Sequence, residues 1–515
     1  MANESRVKKT LLNARVNLIF YFLTLALSFF SRKIFFNTLG ANFIGLTGTL
    51  TNLLSFLNLA ELGIGTAIGY VLYKPLFAQD QTKINEIISV LGYLYNWVGK
   101  IILISGCILS LFLPLIFPNT GFDLTIIYLA YYSFLASSLI GYFINYRQTL
   151  LGADQKNYVV TAYFQTGNIV KTFIQMASAY YTHNYYIWIF IEFFFGIIYS
   201  FILNWKINKV YPWLKSDIKN GKQLGKKYPE VMKHTKQIFV HKIASLIQFQ
   251  LTPFLIYAFV SLQTVAFYGN YTIIIDKIRI LFDNFLGSTA AGIGNLIAEG
   301  NKEKIQKVYW ELIALRFFFV GITTYFLLQI IPLFITLWLG KEYILSNTTL
   351  IILLSIFSLN ILRGITDQFI NGYGLFHDIW SPITESILYF VVAIIGGSIW
   401  GLEGVLLGNL LSITLIIHIW KPYFLFKRGF KIPVWIYWLN FIKLTSISLL
   451  TYIIFYFVKE FILNININNL HWENLIIYSI YTLILLLIIH FSLLYISSKS
   501  MRNITKKIIH AIIKH

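Results

Sequence analysis

Three polar stripes interrupt an otherwise apolar chain. Thr161, Gln165, Asn168, Thr172 and Gln175 are spaced 4, 3, 4 and 3 residues apart, so a helix carries all five on one face, with Lys171 beside them. Asn360, Arg363, Asp367 and Asn371 repeat the pattern at spacings of 3, 4 and 4, and Asp276, Arg279 and Asp283 at 3 and 4, with Lys277 alongside. Amides and hydroxyls in such rows donate and accept hydrogen bonds, and a guanidinium binds paired oxygens through two parallel N–H groups. A stripe of this kind either bonds one helix to the next or lines a polar cavity. Arg363 and Asp367 can also pair within their own helix, which lowers the cost of burying either. Further charges fall in apolar surroundings at Glu61, Lys100, Glu192, Arg316, Glu385 and Lys443. Glu61 sits among glycines that permit close helix approach, and bonds a neighbouring helix or takes part in ion coupling. Lys100 either reaches the interface or pairs with Glu192, and Lys443 lies on the periphery.

Catalytic signatures do not accompany these stripes. No GxxxxGK[ST] loop or HExxH pair occurs, and no histidines stand at metal-ligand spacing beside a carboxylate. The single cysteine, Cys107, excludes a disulfide framework, a thiolate zinc site and an iron–sulfur cluster. No enzymatic activity and no cofactor is expected, coupling to H+ or Na+ aside.

The elements that position the stripes follow from composition. Of 515 residues 57% are hydrophobic and 12% charged, about half the quarter usual in a soluble domain, and the mean hydropathy is +0.68. One soluble core cannot absorb that much apolar surface, so the chain belongs in a bilayer. The net charge of +20 fits cationic cytoplasmic loops, and no nucleic-acid partner is expected. The charged start, 1–17, leads into a full-length apolar span without a small-residue cleavage site, so no removed signal peptide is expected.

Apolar stretches of about 20 residues, the length that crosses a bilayer, recur near 16–36, 44–73, 87–113, 123–145, 158–181 and 185–205. They recur near 238–260, 265–298, 308–331, 348–372, 382–400 and 402–420, with a last pair near 435–458 and 474–496. The reading is an all-α polytopic membrane protein of about fourteen transmembrane helices. With the N-terminus inside, the inner segments hold 30 of the 41 Lys and Arg and the outer ones hold Arg32, Lys33, Lys341 and Lys459. That alternation supports fourteen spans and two cytoplasmic termini, since an error of one helix would scramble it.

Weak internal matches recur at nearly one offset: Ile68-Gly69 with Ile293-Gly294, Lys83-Ile84 with Lys304-Ile305, and Gln148 to Gly152 with Gln368 to Gly372. They predict two parallel six-helix repeats. Residues 1–205 form an N-terminal lobe, 206–237 a basic cytoplasmic linker and 238–433 a C-terminal lobe. Residues 434–515 carry helices 13 and 14 and a basic cytoplasmic tail. The linker, with nine Lys against Asp217 and Glu230, reads as a solvated connection. Three stripes together with a repeat favour cavity lining over helix bonding.

The run Leu59-Ala-Glu-Leu-Gly-Ile-Gly-Thr-Ala-Ile68, followed by Leu72-Tyr-Lys-Pro-Leu76, resembles the second span of bacterial polysaccharide exporters of the Wzx type. Gly292-Ile-Gly-Asn-Leu-Ile-Ala-Glu-Gly300 is similar to the segment that ends their eighth span. These exporters belong to the multidrug/oligosaccharidyl-lipid/polysaccharide (MOP) superfamily. The resemblance covers nearly the whole chain. It implies a MATE-like pair of six-helix lobes around a cationic cavity opening alternately to each side. The implied cargo is an undecaprenyl-diphosphate-linked oligosaccharide, an O-antigen, capsule or related repeat unit, moved from the inner to the outer leaflet of the bacterial cytoplasmic (inner) membrane. Other polysaccharide-assembly membrane proteins are expected partners.

For that cargo, Arg279, Arg316, Arg363 and Lys171 are the diphosphate candidates, and Gln165, Asn168, Asn360 and Asn371 the glycan-contacting ones. Glu61, Asp276, Asp283 and Asp367 either carry a coupling H+ or Na+ or neutralise the arginines. Two readings share the fold: a cation-coupled multidrug exporter, which favours acids in an apolar cavity, and a peptidoglycan-precursor flippase. A membrane glycosyltransferase or polymer ligase, with catalytic carboxylates outside, is the remote alternative.

Overall fold

A computed structural model describes residues 6–57, 61, 64–118, 120–154, 156–232, 235, 250–287, 289–375, 378, 380–462 and 471–513. Among these residues every regular element is helical. The chain divides into two units, Met1–Ala266 and Phe267–His515.

The first unit holds α1 (Arg6–Leu57), α2 (Ile64–Phe77), α3 (Gln81–Ser110), α4 (Leu124–Phe143), α5 (Asn157–Thr182), α6 (Tyr185–Val210) and the short apolar α7 (Gln250–Phe259). At its 52 residues α1 is far longer than the ~20 that cross the hydrocarbon core, and it contains the first expected span and about half of the second. Gly40 separates them, with φ 82° and ψ 159°, a backbone region open essentially to glycine alone. No atom lies within 4 Å of where a Gly40 Cβ would stand.

The helix α8 (Leu262–Gly287) begins at the end of the first unit and leads into the second. There follow α9 (Ala290–Ala298), α10 (Lys302–Trp338), α11 (Asn347–Gly372), α12 (Trp380–Trp400) and α13 (Leu402–Ser412). Helix α13 continues through wider turns, making one apolar stretch of Leu402–Phe430. The last three helices are α14 (Trp435–Ile462), α15 (Trp472–Ser497) and α16 (Lys499–Ile513).

Side chains at the helix starts satisfy backbone N–H groups that have no partner within the helix. Asp80 accepts from Lys83 N (3.0 Å) at α3, Asn301 from Lys304 N (3.0 Å) at α10, and Ser346 from Thr349 N (3.0 Å) at α11.

Ten helices among the described residues are long and apolar enough to cross a membrane. Helix α1 accounts for two of the fourteen expected spans, and residues 238–249 of the seventh lie outside the described residues. The α5 and α8 helices are long enough, but the polar stripe on each leaves them less apolar than those ten. The long second and eighth expected spans are each divided, into α1 and α2 and into α8 and α9. The repeat also shows in packing. In the first unit α2 packs on the short helix Gln148–Ala153, and in the second α9 packs on α11, whose end holds Gln368 to Gly372.

Apolar clusters hold each unit. Phe43, Leu46, Leu50, Ile68, Ile87 and Tyr131 are fully buried in the first, and Tyr309, Phe369, Leu425 and Phe426 in the second. Glycines set the closest approach. A Cβ on Gly396 would stand 2.7 Å from the Gly404 carbonyl oxygen, and one on Gly408 would stand 2.7 Å from Ala393 N, so α12 and α13 meet backbone to backbone. The last pair is built into the second unit. His490 of α15 meets the Thr451 hydroxyl through Nδ1 (2.8 Å) and the Phe317 carbonyl oxygen through Nε2 (3.1 Å).

The basic linker is bonded to α3 while its Lys215, Lys219, Lys222, Lys226 and Lys227 stay exposed. Asn85 Oδ1 accepts from Lys215 N (2.9 Å) and Ser89 Oγ from Asp217 N (2.8 Å). Glu86 takes both Lys227 Nζ (3.0 Å) and the Tyr228 hydroxyl (2.7 Å). Burial and the bonded Glu86 carboxylate push the Tyr228 hydroxyl well above its ordinary range, so it stays a proton donor. The segment 206–232 thus has side-chain and backbone partners within the first unit.

Candidate functional site

Among the described residues, a group of charges within the apolar helices of the second unit shares one carboxylate. Asp367 on α11 joins two cations: its Oδ2 takes Arg363 Nε at 3.1 Å within the helix, and its Oδ1 takes Lys421 Nζ at 2.9 Å from the continuation of α13. Each of the three side chains is about a fifth to a quarter exposed, so the group is sheltered yet reachable. Arg363 uses its Nε edge here, and its terminal nitrogens make no hydrogen bond among the described residues.

Arg316 stands on α10 against the same helix. It is 5% exposed, and its NH1 donates to the Ile361 carbonyl at 2.6 Å. A Cβ on Gly364 would stand 2.7 Å from Arg316 NH1, so this glycine makes room for the guanidinium. Asp283 and Asp367 are the carboxylates whose field reaches Arg316. Asp283 is exposed on α8, while Asp276 and Arg279 pair with each other one turn apart at 3.3 Å.

Two buried groups complete the neighbourhood. Glu385 on α12 is 6% exposed, and its Oε1 has no partner among the described residues. His418 binds the Leu359 carbonyl through Nε2 at 3.0 Å, leaving Nδ1 without a partner. The arrangement holds Arg363 and Lys421 on one shared carboxylate, with Arg316 bonded to the backbone of the same helix. It can present guanidinium N–H groups to an anion where water is scarce and charge interactions are strong.

Expected positions divide between this cluster and other roles. Arg316, Arg363 and Asp367 come together, with Asp283 near enough to act on Arg316. Asn360 instead donates to its own helix, at Ile356 O (3.0 Å), and Asn371 is exposed at the end of α11. In the first unit, Lys171 pairs with Glu192 at 2.7 Å, and Gln175 Nε2 donates to the other Glu192 oxygen at 2.9 Å. That triangle joins α5 to α6 and employs Lys171 as a structural partner. Gln165 and Asn168 are half-buried along the same stripe. Glu61 accepts the Tyr95 hydroxyl at 2.6 Å and the Tyr142 hydroxyl at 2.8 Å, so both its oxygens are held by neutral donors.

Lys421 was not among the expected site residues, because the positive-inside count places it in a cytoplasmic segment. Nor was His418. Lys100 lies over the Trp97 ring, 5.6 Å from its centre, while Glu192 belongs to Lys171. Lys443 is exposed.

No family model matches the chain, and no curated protein matches it by sequence. Solved structures do match. A structure described as "Lipid II flippase MurJ, inward closed conformation" superposes with a TM-score of 0.63 at 16% identity, covering 93% of this chain and 98% of that one. An inward-facing multidrug resistance MATE family transporter of the MOP superfamily gives a TM-score of 0.57 at 15% identity, covering 81% and 99%. An outward-facing MATE structure gives 0.50 at 14% identity, covering 80% and 95%. The chain is a multi-pass, all-helical membrane protein with the fold seen in these transporters and in the lipid II flippase.

Proposed function

We propose that this protein is a flippase. It moves an undecaprenyl-diphosphate-linked oligosaccharide, the repeat unit of an O-antigen, capsule or related surface polysaccharide, from the inner to the outer leaflet of the bacterial cytoplasmic membrane. It works as a transporter of alternating access and not as an enzyme, with both termini cytoplasmic. The observation that carries the reading is the pairing of Arg363 and Lys421 on Asp367, with Arg316 bonded to the backbone of the same apolar helix. Charges within apolar spans are costly and mark substrate or ion pathways, so cations kept among these helices answer an anion that must pass. Diphosphate oxygens replace Asp367 at Arg363 and Lys421, with Arg279 and Arg316 the further diphosphate partners of the second unit and Lys171, now held by Glu192, the candidate of the first. Gln165, Asn168, Asn360 and Asn371 serve the glycan, while the isoprenoid tail stays in lipid. Glu61, Asp276, Asp283 and Asp367 are the groups through which an H+ or Na+ gradient would act.

A second reading, a peptidoglycan-precursor flippase, draws support from the coverage of the similar structures. The lipid II flippase matches more of this chain than the MATE transporter, by about the length of the pair α14 and α15. The drug-exporter reading draws less support, because cations accompany the acids at membrane depth in the second unit.

Proteoliposomes holding the purified protein and an authenticated undecaprenyl-diphosphate oligosaccharide test the proposal. The readout is the fraction of glycan cleaved by an externally added glycosidase, with and without an imposed H+ or Na+ gradient. Protein-dependent movement supports the flippase. Lipid II moving while the oligosaccharide stays put selects the second reading, and expulsion of organic cations alone removes both.

A further inference from the structure

A cavity of about 760 Å³ lies within the first unit, well away in sequence from the cationic group. Its size falls within the roughly 300–1,000 Å³ of small-molecule sites. Asn42, Thr120, Ser261 and Gln263 bring amides and hydroxyls to it, and Tyr257 brings an aromatic ring. No Asp, Glu, Lys, Arg or His lines it among the described residues.

The site is held together by backbone contact. A Cβ on Gly45, one turn beyond Asn42, would collide with the Leu262 carbonyl, so only glycine lets α8 start against α1. Arg32 NH2 donates to Ala266 O at 2.8 Å and ties the same first turn of α8 to α1. Asn42 from α1 and Gln263 from α8 thereby line the same cavity, both exposed, with no hydrogen-bond partner for either side chain among the described residues. Ser261 shares its hydroxyl with Thr264 at 2.9 Å. Phe117 stacks on Tyr257 with centroids 5.0 Å apart and planes 22° apart, which sets the angle of the tyrosine ring.

We infer that this cavity is a saccharide-binding site that receives the neutral part of the cargo glycan. Sugar rings offer hydroxyls to amide and hydroxyl partners and C–H faces to an aromatic ring, and they need no charge. A diphosphate or an organic cation would require the charged residues this cavity lacks. Under the proposed topology, the ends of α1's first span, α3 and α7 all lie on the outer side, where the glycan arrives. The assignment to cargo rests on the flippase reading, while saccharide binding itself is measured apart from it.

The test replaces Cys107 by Ala and places a reporter by Ala258→Cys, which lines the cavity and leaves both amides intact. Sealed right-side-out vesicles receive a membrane-impermeant maleimide. Competitors are the free oligosaccharide, stripped of lipid and diphosphate by mild acid, then pyrophosphate, then tetraphenylphosphonium. The expected result is labelling from outside that the oligosaccharide slows and the two ions do not. Asn42→Ala or Gln263→Ala should raise the oligosaccharide concentration needed for protection about tenfold, the factor for one lost hydrogen bond. Wild-type melting temperatures would show that these variants fold. Labelling from the inside only, equal protection by either ion, or no protection by the oligosaccharide overturns the site. So does undiminished protection in both amide variants. Translocation measured on the same vesicles separates the two claims: lost translocation with intact protection removes the flippase reading and leaves the saccharide site standing.

Discussion

Arg363 gives Asp367 one edge of its guanidinium and keeps the fork of terminal nitrogens for another acceptor. Arg363→Ala should therefore abolish translocation in the glycosidase-protection assay while expression and membrane insertion stay normal. Arg363→Lys keeps the charge without the planar fork, and partial activity would separate charge from two-point geometry. Normal transport by well-expressed Arg279→Ala, Arg316→Ala and Arg363→Ala would remove the cationic-path proposal. Asp367→Asn leaves Arg363 and Lys421 without their shared carboxylate. Its cost should fall between the roughly 0–1 kcal/mol of an exposed pair and the about 3–5 kcal/mol of a buried one, read from thermal unfolding in detergent. The pairing of Arg363 with Asp367 was legible because residues four apart share a helix face. Lys421 was not: its partner lies 54 positions away, and only the packing of α13 on α11 brings them together. The same holds for Lys171, whose partner Glu192 stands on the next helix.

At the scale of elements, polar stripes both marked and disguised the helices. The periodicity placed α5 and α8 correctly, yet their polarity keeps them below the hydropathy of the ten apolar spans. Close backbone approach was only partly legible. The glycines of α12 and α13 are visible in sequence, but which carbonyl each one faces depends on the crossing of two helices. Gly404→Leu should destabilise the second unit, because a Cβ there meets the Gly396 backbone, which cannot give way as a side chain would. A lowered melting temperature and reduced monodisperse protein on size-exclusion chromatography are the expected readouts. Gly40→Ala places a side chain in a region of φ and ψ that costs about 1–3 kcal/mol, and the same melting measurement should show it.

For the whole molecule, the count of Lys and Arg predicts a topology that cysteine labelling can check. With Cys107 replaced by Ala, Gln223→Cys should react with an impermeant maleimide only from the cytoplasmic side, and Asn347→Cys only from outside. Arg32, counted with the outer residues, is in fact part of α1 and bonds the Ala266 carbonyl, so a loop charge by sequence is a structural one in the fold. Elsewhere, positive φ angles among the described residues fall at helix ends and connections: Gln79, His183, Lys431 and the glycines 121, 300, 340, 374 and 401. Gly40 alone interrupts a continuous helical element. Nothing occupies the space where its Cβ would be, so volume is not what excludes a side chain there. What excludes it is handedness: a D-alanine at position 40 would sit at the mirror of φ 82° and ψ 159°, at the edge of the extended region, and α1 would accept it where it strains against the L form.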